Sequence, residues 1–534
     1  MPPSRPDRAR GHLLIPSLVA AAGALLLIHQ WQWGRMLWLD EEMIAINLRD
    51  RSFAQLAGRL ELGQAAPYGW LAAQRAVFLA FGPDERALRA LPLAFGVALL
   101  AVAVWVGRRW MTRSGAITLT FLCAAGQWVS FHALELKHYS ADTCFGLLLP
   151  ALAVWALEED RLLAWWIAAA VAQWFSNGAL FVAPVCALVV VVASGNKVKA
   201  ALPGLIWLAS FVANYILTLG PARSSEFLQH FWANAFPPPG SGPLATIAWA
   251  FAQISPLALK PIGSGFGVWF WVAAGAGFWL ARRTSPVFRS VFALVPLSGI
   301  VWAAVRLVPM FERLSLWIVP ALYVGVALAA DAASAMVARP MQSRRGAAAV
   351  AGAIAWCALA VLLGDVAIRG ATYVAIDAPI ANHDVDDRGA VRWLARQRQP
   401  GDVWVTTHNA LPAIWWYAND DAPAFEVALE SDPDGCGALE LGETLRRAGA
   451  TRALVYLGFG HHVPPAFDDV LVARLGSLGR VAGYNRFGEN SHALAVDLRD
   501  AATGPITLGE LGSPGHPSVG AAAGCINVSP ASRW

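Results

Sequence analysis

The sequence predicts a mostly α, polytopic membrane protein of about 11 transmembrane helices, followed by a small C-terminal extracytoplasmic α/β domain. Three observations carry this. Hydrophobic residues make up 57% of the 534 positions and charged residues only 14%, against roughly 45–50% and 25% in soluble domains. Mean hydropathy is +0.48. The charge is unevenly spread: residues 1–370 hold 28 Lys+Arg against 17 Asp+Glu, and residues 371–534 hold 12 against 19. An ordinary soluble enzyme, a disordered chain and a disulfide scaffold are excluded. The 25 Trp residues suit membrane–water interfaces. No basic patch with interleaved aromatics suggests a nucleic-acid partner.

The first span starts behind Arg5, Arg8 and Arg10 and runs from Leu13 to Ile28. No small-x-small cleavage site follows, so it reads as an uncleaved helix. Further spans are expected at about 88–107, 116–133, 141–157, 162–175, 179–194, 200–219, 265–281, 286–305, 314–330 and 347–366. The Lys/Arg bias places Arg108, Arg109, Arg113, Lys197, Lys199, Arg282, Arg283, Arg339, Arg344 and Arg345 inside. The inner loop Glu158-Glu159-Asp160-Arg161 dissents. This parity requires 244–260 not to cross, and Pro256, Lys260 and Pro261 suit a surface-lying or re-entrant helix.

The membrane domain is thus expected over 1–369, with a first outer loop at 34–87, and the α/β domain over 370–500. Strands are expected at 402–407, 453–457 and 493–496, with helices at 388–398 and 438–449 between them. Residues 501–534 are rich in Gly, Pro, Ala and Ser and read as a poorly ordered tail. No CxxC pair exists. Cys436 and Cys525 can pair if their region is extracytoplasmic, or remain two free thiols.

Charges are costly near a bilayer core, so those at span ends are informative. Leu37-Trp38-Leu39-Asp40-Glu41-Glu42 ends the first span and opens two amphipathic stretches, 41–60 and 65–81, expected to lie along the membrane face. Its three acids suit either a solvated helix start or a general base facing an interfacial substrate. Glu135, His138, Tyr139 and Asp142 would share one face of a helix. They suit a hydrogen-bonded network or a cation or head-group site. Glu135-x-x-His138 is half of a di-iron motif, present in one copy only. Lys137, on another face, is placed to meet a phosphate. Arg306 and Arg313 occupy a short outer loop against the positive-inside tendency. They suit head-group contact, a Glu312 pairing, or phosphate clamping. The segment 220–243, with Arg223, Glu226, His230 and Pro237-Pro238-Pro239, reads as a lid or a connector.

The order of these pieces resembles the lipid-phosphate-sugar-dependent glycosyltransferases of the GT-C fold, of the protein O-mannosyltransferase-like and lipopolysaccharide-modifying kinds. The resemblance rests on Asp40-Glu41 at the end of the first span and on Ala66-Pro67-Tyr68-Gly69-Trp70. It continues through Phe81-Gly82-Pro83-Asp84-Glu85-Arg86 to Arg89-Ala90-Leu91-Pro92, then Glu135-Leu136-Lys137-His138-Tyr139-Ser140, then Arg313-Leu314-Ser315-Leu316 with Pro320. Ala66 departs from the family's usual proline.

The resemblance implies a hexosyl- or pentosyltransferase in a bacterial inner membrane. It would move a sugar from a polyprenyl-phosphate donor to a lipid, glycan or protein hydroxyl at the outer face, with inversion. Asp40 would be the base and Glu41 its neighbour in catalysis. Lys137, Arg306 and Arg313 would hold the donor phosphate, with Tyr68, Glu135, His138 and Tyr139 around the substrate. No cofactor is assigned; a divalent cation would be compatible. The alternative is a lipid or solute transporter. Transporters place ionisable groups at mid-bilayer on broken helices, whereas here nearly all charges lie at span ends.

Overall fold

The computed structural model describes residues 14–220, 230–281, 284–338, 344–381, 385–430, 441–458, 467–511 and 525–531. The chain divides into two compact units. The first comprises residues 1–34 and 51–375, the second residues 35–50 and 376–534. The acidic first-loop stretch therefore groups with the C-terminal region.

The first unit is helical. Seven helices are long and apolar enough to cross a membrane: Leu14–Gln32, Ala90–Trp110, Tyr139–Glu158, Lys197–Leu219, Pro286–Ala304, Glu312–Val337 and Ala347–Asp377. An eighth candidate is the pair Pro243–Ile262 and Gly267–Leu280, bent by 86°. The bend lies between Ile262 and Gly267, just after the stretch 244–260 that the charge parity set apart. Arg113–Ala125, Leu162–Ala172 and Ala179–Ala193 are apolar but shorter. The described residues thus give seven or eight full-length crossings where about 11 were expected, the difference lying in these short helices. Glu312–Val337 is the central element, with 89% of its apolar window buried, against 11% for Lys197–Leu219 and 17% for Ala347–Asp377. The last two present their apolar side chains outward, as lipid-facing helices do. Gly277 and Gly325 let helix Gly267–Leu280 lie directly on the central helix: a Cβ at Gly277 would strike the Gly325 carbonyl oxygen. Small residues serve this purpose in membrane bundles.

The dissenting inner acids are neutralised. Arg109 pairs with Glu158 at 2.9 Å and Glu159 at 2.6 Å, and Lys199 with Asp160 at 2.6 Å. The Trp110 indole donates to Glu158 at 2.9 Å. Three expected inner loops therefore meet at one end of the unit.

The second unit is a six-stranded sheet of order β4-β5-β3-β1-β2-β6. Its strands are β1 (Asp402–Thr406), β2 (Ala424–Glu430), β3 (Arg452–Leu457), β4 (Arg480–Phe487), β5 (Ser491–Asp497) and β6 (Cys525–Pro530). β1 pairs in parallel with β2 and β3; β5 and β6 add antiparallel strands. Val403, Val405, Ala453, Val455, Leu494 and Val496 pack with Leu441, Leu445, Phe467, Leu471 and Leu475 of two helices. By the two-residue alternation of a strand, Trp404, Thr406, Leu454 and Tyr456 face the opposite side. β1, β3 and β5 lie at the predicted strands. β6 falls in the segment expected to be a tail. Cys436 lies outside the described residues, and Cys525 is described by backbone only.

Candidate active site

In the first unit, Glu135 is the hub of a buried polar cluster. It does not sit on a helix, as the i, i+3, i+4 pattern suggested: the span begins at Tyr139 and residues 133–138 form a turn. The cluster forms nonetheless, because the turn folds Glu135 back onto the preceding short helix. The His132 Nδ1 lies 2.5 Å from the Glu135 Oε2. Burial disfavours the Glu135 charge, but His132, Arg313 and Lys137 outweigh it and hold the carboxyl down to about 2. Glu135 is therefore an anion that organises two cations.

Lys137 is buried, and its ammonium donates to the Gln64 Oε1 at 2.5 Å. The Arg313 guanidinium lies 5.9 Å from the Tyr139 ring centroid and 5.8 Å from that of Trp232. Tyr139 stands edge-on to His132 at 5.2 Å and against His138 at 5.0 Å. Burial, with Lys137 adding to it, depresses His138 to about 3, so its imidazole is neutral. The Asn177 amide reaches the His138 Nε2 at 3.1 Å. Asp142 accepts from the Ser176 hydroxyl at 2.6 Å and the Gly178 amide at 2.9 Å. It thereby caps helix Ala179–Ala193 from a neighbouring element, which is a structural task.

Helix Tyr68–Phe81 adds an aromatic wall. The Trp70 amide donates to the Trp174 carbonyl at 3.0 Å, and a Cβ at Gly69 would come within 2.7 Å of that oxygen. Glycine is what lets the helix lie so close. The Trp70 ring then stands edge-on to His138 at 6.3 Å, and Tyr68 against Trp174 at 6.2 Å. Buried and without hydrogen-bond partners are the Trp70 Nε1, the Gln74 amide, the His138 Nδ1, the Ser140 Oγ and one oxygen of Glu135.

Arg306 is placed differently from the clamp expected. Its guanidinium donates to the Pro237 carbonyl at 2.5 Å and lies 5.0 Å from the Phe236 ring. It fastens the segment before the bent pair. Glu312 pairs with Lys260 at 3.7 Å, not with Arg313. Arg223 and Glu226 lie outside the described residues.

The second unit holds the first-loop acids on helix Leu39–Asp50. They differ in environment. Asp40 is half-buried, whereas Glu41 and Glu42 are fully buried. Glu41 turns its Oε2 back to the Trp38 amide at 3.3 Å. Glu42 faces Asp387, and burial, reinforced by that neighbour, pushes its carboxyl well above the usual range. Neither His132 nor Gln64 was singled out in the sequence. His132 falls three residues before Glu135, a spacing that reads as ordinary helix surface; Gln64 is remote and neutral. Among the described residues, no three His, Cys, Asp or Glu side chains are grouped so as to hold a metal ion.

This architecture is that of a GT-C-fold membrane protein. The chain is similar to the crystal structure of ArnT from Cupriavidus metallidurans bound to undecaprenyl phosphate, with a TM-score of 0.55 and 14% identity, covering 92% of this chain and 99% of that one. It is likewise similar to the apo state of the same ArnT, with a TM-score of 0.53, 14% identity and the same coverage. No protein-family model matches the sequence. No curated protein matches it either.

Proposed function

We propose that this protein is a membrane glycosyltransferase that moves a sugar from a polyprenyl-phosphate donor to a hydroxyl acceptor at the extracytoplasmic face. The observation that carries the reading is the pair of cations, Lys137 and Arg313, gathered around ionised Glu135. Such a set suits a lipid phosphate, whose negative charge grows as it leaves. The fold supports it, since a solved structure of the same fold is bound to undecaprenyl phosphate.

In the proposed reaction the acceptor oxygen attacks the anomeric carbon. The bond from that carbon to the phosphate oxygen breaks, its electrons leave with polyprenyl phosphate, and the anomeric centre inverts. The acceptor's proton passes to Asp40. Of the three first-loop acids, Asp40 suits this role best. Glu41 is turned onto its own helix start, and Glu42 is buried against a second carboxyl. Lys137 and Arg313 neutralise the leaving phosphate, while Arg306 secures the segment at Pro237. Tyr68, Trp70, His138 and Tyr139 offer aromatic faces to the sugar and its lipid. The acceptor is a lipid, glycan or protein hydroxyl, and the setting a bacterial inner membrane.

The test is transfer from a panel of radiolabelled polyprenyl-phosphate sugars, in membranes carrying wild type or Asp40→Asn. Label transferred by wild type alone supports the reading. Donor binding without transfer, in the presence of native acceptor extract, would favour a lipid transporter instead.

A further inference from the structure

The second unit carries an α/β sheet whose task the reaction above does not define. Its parallel core has a topological switch point. β1 leads to β2 on one side, while β3 lies on the other side and leads toward β5. In open α/β sheets the crevice at the carboxyl ends of two such strands is where ligands sit. Here Thr406 ends β1, and its hydroxyl donates to the Tyr456 carbonyl, next to the end of β3, at 2.6 Å. The Tyr456 hydroxyl donates in turn to the Asp387 carboxylate. Asp387 opens helix Asp387–Ala395, whose start is fixed by the Asp386 amide on the Ser491 hydroxyl at 3.2 Å.

The side chain that meets Asp387 at this crevice comes from the first outer loop: it is Glu42. Both carboxyls are buried, and neither Glu42 oxygen meets a hydrogen-bond donor. Two facing carboxyls bond only if they share a proton. Burial supports that by raising both, Asp387 to about 7. The facing groups are Glu41 on the helix of Glu42, Asp386 beside Asp387, Tyr456 on β3, and Ser491 on β5. Two further contacts seat the same helix. The Leu37 amide donates to the Tyr417 hydroxyl at 2.8 Å, and Arg49 donates to the Trp415 carbonyl at 2.7 Å with its guanidinium 5.5 Å from the Trp416 ring.

We propose that the α/β unit is the holder of the acid-bearing helix, with Asp387 a positioning residue that fixes Glu42, and through it Asp40, by one hydrogen bond between carboxyls. The crevice that takes a free ligand in other α/β sheets is filled here by a segment of the same chain. This rests on the transferase reading for its consequence, not for its geometry.

The test uses the full-length protein in membranes with three variants: Asp387→Ala, Asp387→Asn and Glu42→Ala. Deuterium uptake is followed in 39–50 and in β1 and β3, alongside transfer kinetics. Asp387→Ala should speed exchange in 39–50 at least tenfold while the strands stay protected. It should also lower kcat at least tenfold with the donor KM unchanged. Asp387→Asn, which still donates one hydrogen bond to Glu42, should restore both. If Asp387→Ala costs the strands their protection, Glu42→Ala makes the same break from the helix side. Protection of 39–50 retained in a variant with intact strands would overturn the proposal. So would a failure of Asp387→Asn to restore it. A wild-type protein with no transfer at all would sink the transferase reading alone, because exchange still decides the holder.

Discussion

The His132 Nδ1 approaches the Glu135 Oε2 at 2.5 Å, with both side chains buried. With Arg313 and Lys137, this contact holds the Glu135 carboxyl well below its ordinary range. Removing one partner of a buried ion pair leaves the other uncompensated, at a cost of about 3–5 kcal/mol. Glu135→Gln should therefore lower the unfolding midpoint of the detergent-solubilised protein more than any exposed charge substitution does. The pH dependence has a definite sign. The carboxyl sits at about 2 in the folded protein against an ordinary 4.5. Its contribution is full above about pH 4.5 and is lost as pH falls toward 2. Thermal unfolding scanned over that window should show a slope in wild type that Glu135→Gln flattens.

Donor phosphate and acceptor proton are assigned to different residues, so binding and turnover should separate. Lys137→Met and Arg313→Ala should each weaken donor binding by about 10- to 100-fold, the range for a lost charge-assisted hydrogen bond of about 1.5–3 kcal/mol. Asp40→Asn should bind donor like wild type and lose transfer. Binding of a labelled polyprenyl phosphate, measured beside single-turnover transfer, checks both. Equal loss of binding in Asp40→Asn would contradict the assignment.

The membrane helices and three strands were legible because their signals are local. Long apolar runs mark the spans, and β1, β3 and β5 are continuous apolar runs of a sheet core. β2 reads Ala424-Phe425-Glu426-Val427-Ala428-Leu429-Glu430, rich in helix formers, and becomes a strand only through pairing with β1 and β6. β4 is half-exposed and carries Arg480, Asn485 and Arg486, so no apolar run announces it. At the site, Glu135, Lys137 and Arg313 were visible as charges at span ends. The partners that fix them were not, since Gln64 is uncharged and remote in sequence. Asp387 had no signal either: acids at a helix start, here Asp386 and Asp387, are ordinary, and only the tertiary fold sets Asp387 against Glu42.

Asp331 gives a control away from the site. From the central helix it accepts the Thr112 amide at 2.9 Å and the Gly115 amide at 2.6 Å, capping helix Arg113–Ala125. Asp331→Ala leaves those donors unpaired and should cost about 1–3 kcal/mol. A lowered unfolding midpoint with unchanged kcat and donor KM is expected. A changed KM would show that this end of the bundle communicates with the cations.

The proposed reaction requires a sidedness that cysteine labelling can check. Arg109, Glu158, Glu159, Asp160 and Lys199 meet at one end of the first unit, and the proposed topology expects that end in the cytoplasm. The proposed extracytoplasmic transfer requires residues 376–534 to be on the outer side of the membrane. A single cysteine introduced at Asp160 should resist a membrane-impermeant maleimide in intact cells and react after permeabilisation. One introduced at Glu489, in the exposed turn between β4 and β5, should react in both. The exposed Lys199–Asp160 pair is worth at most about 1 kcal/mol, so replacing Asp160 leaves the fold intact and the labelling pattern interpretable. Protection of the cysteine at 489 in intact cells would place the α/β unit in the cytoplasm and remove the extracytoplasmic transfer proposed above.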